Sequence, residues 1–287
     1  MTRILQVGAV VRSTAAEPVV GLGAWGREQR GVAGGYVTVR GRPAFENSFW
    51  CGTCALLFRR MDGADGYLPP AELRERLRGG PAGVDPEVVA AFTGLLSPGE
   101  YLPMLLEVTP ELVRPGDEGD YFSHEQLDTW DVAQDPGELP VDPGTPYYRL
   151  DGREPRVVRG LPGTGGPAEG LLFEFVVPMQ PPDGNRGGTT EGYVRDIEAG
   201  GTPTAVAVSV LDGAYPAVWG ERPPVVAAVH YGLVHFLLDG HHKVEAAARA
   251  GRTVRLLSLL ALSGGNTSAE FAGTVPSLLG ADRARER

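Results

Sequence analysis

The chain has 287 residues, enough for one large domain or two ordinary ones, and its 42% hydrophobic and 22% charged content allows a sizeable core. Its 26 Lys and Arg against 36 Asp and Glu give a net charge of −10 with no long basic run, which excludes a general binder of the nucleic-acid backbone. Gly (41) and Pro (25) favour turns and long loops over a helical bundle.

In chain order, Ile4 to Val11 and Tyr36 to Val39 read as strands between Gly/Ala/Pro-containing turns. Gln6 and Gly8 interrupt the first run, which is too short for a leader or a membrane span. Next comes Phe49-Trp50-Cys51-Gly52-Thr53-Cys54, close to the W-C-G-x-C of thioredoxin-like proteins. Its context is unlike theirs. Arg40 to Asn47 separates it from the preceding strand, and a helix over Ala55 to Met61 would end early at Asp62-Gly63. A turn with two buried thiols is the first reading of Cys51 and Cys54, structural zinc the second and thiol redox the third. Zinc needs two more ligands, and no histidine has the spacing to supply them.

Two helices follow. Pro70 to Arg78 carries Leu73 and Leu77 on one face. Asp85-Pro86 is an N-cap and first-turn proline for a helix over Glu87 to Leu96, stopped by Ser97-Pro98-Gly99. Residues 114–170 are dense in Gly, Pro and Asp and read as a long connection, with Ser123 and Gln126 capping a short helix to about Trp130. His124 and Asp128 share a helical face there, read as solvated rather than metal-binding.

From Leu171 the pattern tightens: a strand to Val177, a loop over Pro178 to Gly188, then a helix over Thr190 to Ala199 capped by Thr190. Thr204 to Leu211 and Leu233 to Leu238 are strands, and Val225 to Tyr231 is either a helix or a strand. A helix over His242 to Ala250 turns Val244, Ala247 and Ala248 inward and stops at Gly251. Val254 to Leu262 is the next strand, which makes a βαβ-type unit. The reading is α/β (α+β), divided into an N-terminal α+β region 1–113, a connection 114–170, a domain 171–263 and a C-terminal tail 264–287 that frays from Gly280. No segment reads as membrane-spanning, and a cytoplasmic location is expected.

The most informative stretch is Leu238-Asp239-Gly240-His241-His242-Lys243-Val244-Glu245-Ala246-Ala247, a polar turn between a strand and a helix. A helix N-terminus offers backbone N–H groups and the positive end of the dipole to an anion, phosphate above all. Gly240 permits a tight turn and close approach, Lys243 (the only lysine in the chain) adds a charge, and a histidine can donate to phosphate or carry a proton. The alternative is structural: Asp239 caps the helix and the histidines are ordinary turn residues.

This run resembles the signature turn of the ParB/sulfiredoxin-like superfamily, in which a glycine–histidine turn before a helix holds nucleotide phosphates. Glu191 to Gly201 followed by Thr202-Pro203-Thr204-Ala205-Val206-Ala207-Val208 is similar to the family's upstream helix, glycine, proline and strand, and Pro181, Pro182 and Arg186 fall in the loop leading to the site. The resemblance covers residues 171–263. His241 stands where sulfiredoxins carry their reactive cysteine, which argues against sulfinic-acid chemistry. The 25 residues after Leu262 are too few for the helix-turn-helix of the chromosome-partitioning members. Lys243 replaces the usual arginine and binds phosphate as a point charge.

The free-serine-kinase branch remains. The resemblance then implies a nucleotide-dependent phosphotransferase acting on a small hydroxyl-bearing molecule. ATP or ADP with Mg²⁺ would sit at Gly240, His241, His242, Lys243 and Arg186, with Asp239 toward substrate or metal and His241 beside it. Glu191, or second Glu198, would be the base. A non-catalytic nucleotide-responsive regulatory or interaction protein is the alternative, and a zinc or thiol protein using Cys51 and Cys54 the second alternative.

Overall fold

The computed structural model describes residues 2–24, 34–49, 56–66, 73–114, 116–121, 145–152, 155–159, 169–185, 187–214 and 229–280. Cys51, Cys54, Arg186, the His124 to Trp130 segment and the tail beyond Gly280 lie outside these residues.

Ten strands form one mixed sheet. From residues 1–113 come β1 (Arg3–Val7), β2 (Val11–Ser13), β7 (Gly99–Val108) and β8 (Glu111–Val113). Further on lie β9 (Tyr147–Arg149), β10 (Arg156–Arg159), β11 (Glu169–Pro178), β12 (Thr204–Ala214), β13 (Val229–Asp239) and β14 (Val254–Ala261). The order is β1-β7-β14-β12-β13-β11-β9-β8, with β2 beside β7 and β10 beside β11. The strands of residues 171–263 thus share their sheet with strands from 1–113, joined where β14 pairs β7 from Val254–Val108 to Ala261–Tyr101.

A second, four-stranded antiparallel sheet is made of β3 (Val20–Ala24), β4 (Gly34–Val39), β5 (Arg42–Phe49) and β6 (Leu56–Arg60). The helix expected over Ala55 to Met61 is therefore a strand. Its backbone pairs with β5 from Phe49–Leu56 to Phe45–Arg60, and those ladder bonds outweigh the local preference.

Alternation across the large sheet builds two cores. Val206, Val208, Val234, Phe236 and Leu238 face the small sheet and α2 (Pro86–Thr93), where Phe236 meets Phe45 with ring centroids 5.3 Å apart. Ala205, Ala207, Leu233, Leu237 and Leu256 face the other way, toward α3 (Gly187–Glu198), α4 (His241–Ala250), α5 (Ala269–Ala272) and α6 (Val275–Gly280). Every residue of β13 is buried, as expected of a strand covered on both faces. The remaining helix, α1 (Arg74–Gly79), puts Leu77 into the first core.

Several local readings hold. Asp85 Oδ1 accepts from Glu87 N at 2.9 Å and Val88 N at 3.3 Å, and Pro86 opens α2. Gly251 takes the left-handed C-cap conformation (φ 58°) after α4. Others shift. Ile4 to Val11 breaks at Gly8 into β1 and β2. The α3 helix starts at Gly187, which places Thr190 inside its first turn and fully buried rather than at the cap. The expected βαβ unit is not a parallel crossover. β13 runs antiparallel to β12, and β12 parallel to β14, so α4 joins two antiparallel strands that flank β12. No helix among the described residues is long and apolar enough to cross a membrane.

Candidate functional site

Strand β13 delivers the chain to Asp239, and Gly240 reverses it with φ 94°. A Cβ on Gly240 would lie 2.7 Å from Ala205 Cβ and 2.8 Å from Ala205 Cα. Glycine is thus required twice, for its left-handed backbone and for the contact with β12. The helical ladder opens with Lys243 N and Val244 N bonding Gly240 O at 2.9 and 3.0 Å, and no side chain caps the helix. Asp239 does not serve as the cap.

Instead Asp239 binds Lys243. The Lys243 ammonium donates to Asp239 Oδ2 at 3.0 Å and to the Thr204 carbonyl at 2.8 Å, and it lies 6.0 Å from the centre of the Tyr193 ring. Both side chains are nearly buried, at 4% and 10% exposed. The two charges cancel where they stand, so the pull of this turn on an anion comes from the backbone amides and the helix dipole.

The two histidines differ. His241 is buried, and burial pulls its imidazole down to about 4, with Asp239 opposing and His242 reinforcing the shift. Its Nε2 is enclosed without a hydrogen-bond partner. His242 is half-buried and directs Nδ1 to Thr190 Oγ1 at 2.9 Å. Thr190 Oγ1 in turn donates to Glu245 Oε2 at 3.3 Å, which also accepts from Asn185 Nδ2 at 2.5 Å, while Arg249 closes on Oε1. Asn185, Thr190 and Glu245 lock the loop before α3 and the first turn of α3 onto α4.

This packing explains why α4 is buried beyond its expected stripe. Val244 and Ala247 face the sheet as expected, but Lys243, Glu245 and Ala246 are buried too, because α3 covers a second side. Sequence reading missed Asn185, Thr190 and Glu245. The i, i+4 spacing of Glu245 and Arg249 is the local signal that bears on the cluster.

Glu191 follows Thr190 directly, so α3 brings it beside the cluster, but its side chain is exposed, as is that of Glu198. Among the described residues no three His, Cys, Asp or Glu side chains converge to hold a metal ion.

Other buried polar groups lie away from the turn. Ser209 Oγ bridges His235 Nδ1 at 2.7 Å and Ser258 Oγ at 2.8 Å across three central strands, and burial holds His235 down to about 3. His230 Nδ1 meets Tyr121 Oη at 2.8 Å and is pulled down to about 4 by burial. Glu174 is fully buried and pushed up to about 7 by that burial, with the Arg156 guanidinium 3.7 Å away pulling the other way.

Comparison with known families, with curated proteins and with solved structures finds no match to this chain.

Proposed function

We propose that the chain binds the phosphates of a nucleotide, ATP or ADP, at the Asp239–Lys243 turn, and transfers a phosphoryl group to a small hydroxyl-bearing molecule. The reading follows the resemblance of residues 171–263 to the ParB/sulfiredoxin-like superfamily. One observation carries it: a helix start without a side-chain cap, whose glycine is pressed against β12 so closely that a Cβ would fill the space. The donors fit an anion. Among the described residues they offer no pre-built metal set, so Mg²⁺ would arrive with the phosphates. Glu191, exposed on α3, is the proton acceptor that the resemblance implies.

A second reading, a nucleotide-responsive protein without turnover, is favoured by the Lys243–Asp239 pair. A ligand whose phosphate draws Lys243 away from Asp239 would break a buried contact, and that rearrangement would itself be a signal.

Isothermal titration with ATP, ADP and CTP, each with and without Mg²⁺, separates the readings. Binding with conversion of ATP to ADP, or of ADP to AMP, in the product mixture supports the phosphotransferase, and binding without product supports the responsive protein. No heat and no thermal shift with any of the three would sink both.

A further inference from the structure

We propose that the groove between the β1–β2 edge and α2 binds a small, uncharged, largely apolar molecule that carries one oxygen acceptor, such as a ketone. The groove lies on the α2 side of the large sheet, whereas α4 packs on the other side. It stands independently of the nucleotide reading.

The groove begins with a proline. The Pro103 carbonyl accepts from Gly8 N at 2.8 Å, so Pro103 presents its backbone to the β1–β2 side. Another residue there would also donate its own N–H across the same antiparallel ladder. Proline has none to give, and the ladder opens. β1 ends at Val7 opposite Met104, and β2 starts at Val11 opposite Tyr101. Gly8, Ala9 and Val10 loop across the gap. Between this looped edge and α2 lies a cavity of about 620 Å³, within the range of small-molecule sites.

The lining says what kind of guest fits. Val89, Thr93 and Pro103 are buried and form the floor, while Ala9, Arg12 and Ala90 are exposed and form the rim. With Val11 and Val84 on the walls, the surface is largely apolar. Among the described residues Arg12 is the one charged side chain that lines it, and it donates to Glu100 at 3.1 Å. The charge at the mouth is therefore balanced, and an anion would compete with Glu100 for Arg12. An uncharged guest meets no such opposition.

One polar group of the floor is unanswered. Thr93 is 4% exposed, and its hydroxyl has no hydrogen-bond partner within the protein. Ser13, the other buried hydroxyl of the lining, is committed: it donates to the Leu96 carbonyl at 2.7 Å and accepts from Ala15 N at 3.4 Å. A buried hydroxyl left unbonded costs stability, and an acceptor brought by a guest restores it. A molecule that covers the apolar walls and sets a carbonyl oxygen at Thr93 answers both demands of the groove.

Titration of the full chain with prodan, an uncharged naphthalene ketone whose fluorescence reports apolar surroundings, tests this. Prodan should bind saturably at one equivalent. Ala90→Trp fills the groove from its exposed rim and should weaken prodan at least about 10-fold, with the urea midpoint near that of the parent. Thr93→Val keeps the side-chain shape and drops the hydroxyl. It should weaken prodan about 3–10-fold while the urea midpoint holds or rises. The anionic dye 1-anilinonaphthalene-8-sulfonate should bind less tightly than prodan. Absence of saturable prodan binding, or binding that Ala90→Trp leaves intact, overturns the site. Tighter binding of the sulfonate than of prodan overturns the uncharged class of ligand, and a Thr93→Val protein that binds prodan as the parent does overturns the part given to the hydroxyl.

Discussion

Acidification should destabilise this protein by a route that its buried groups specify. His230, His235 and His241 are neutral in the fold, held at about 4, 3 and 4 by burial, against the 6.5 of a free imidazole. Below pH 6.5 the unfolded chain takes up three protons that the fold refuses. Glu174 works the other way: held at about 7 against 4.5, it binds a proton in the fold before it does so unfolded, and it strengthens the fold as pH falls from 7 toward 4.5. Each proton is worth about 1.4 kcal/mol per pH unit. From pH 8 to pH 5 the histidines cost about 6 kcal/mol and Glu174 returns about 2–3 kcal/mol, a net loss of about 3–4 kcal/mol, falling mostly below pH 6.5. Against a typical domain stability of about 5–15 kcal/mol this is a large share. Urea unfolding at pH 8, 7, 6 and 5 should show it as a falling midpoint with a steady slope on denaturant. Glu174→Gln separates the two contributions: its loss from pH 8 to pH 5 should grow to about 6 kcal/mol. A midpoint unchanged between pH 8 and pH 5, or a Glu174→Gln protein less sensitive to acid than the parent, would refute the reasoning.

Two further substitutions probe the turn. Lys243→Met leaves the Asp239 carboxylate buried without its cation and should cost about 3–5 kcal/mol by urea unfolding at pH 8, with Asp239→Asn in the same chain recovering part of it. Gly240→Ala forces a side chain into the left-handed region and against Ala205. It should destabilise by about 2 kcal/mol or more, whereas Gly200→Ala, also at positive φ but with open space, should cost less.

The strand–turn–helix around Gly240 was legible because it is local. An apolar run, a glycine, and a helix ending at Gly251 are each written within a few residues, and α4 begins at His241, one residue from its expected start. The same holds for α2, whose Asp85-Pro86 start is a matter of neighbours. Strands β5, β6 and β7 were not legible. β7 carries Pro103 in its middle and its partners β1 and β14 lie far away in sequence, while Leu56–Arg60 alone does not say that it pairs with β5. At the site, sequence named the residues of the turn but not their partners. That Lys243 turns inward to Asp239 and Thr204, and that Thr190 stands between His242 and Glu245, depends on α3 lying against α4, which no spacing in the chain encodes.

The seam between β14 and β7 also bears on how the protein can be cut. A fragment of residues 171–263 would carry away β14 with the side facing β7 stripped bare: a long, apolar strand offering an open row of amides and carbonyls. Such an edge seeks a new partner, and in a truncated protein the nearest is another copy of itself. The turn at Gly240 is therefore not a portable cassette. It belongs to a sheet whose opposite half is supplied by strands from residues 1–113, and any transplant of the site must carry β7 along.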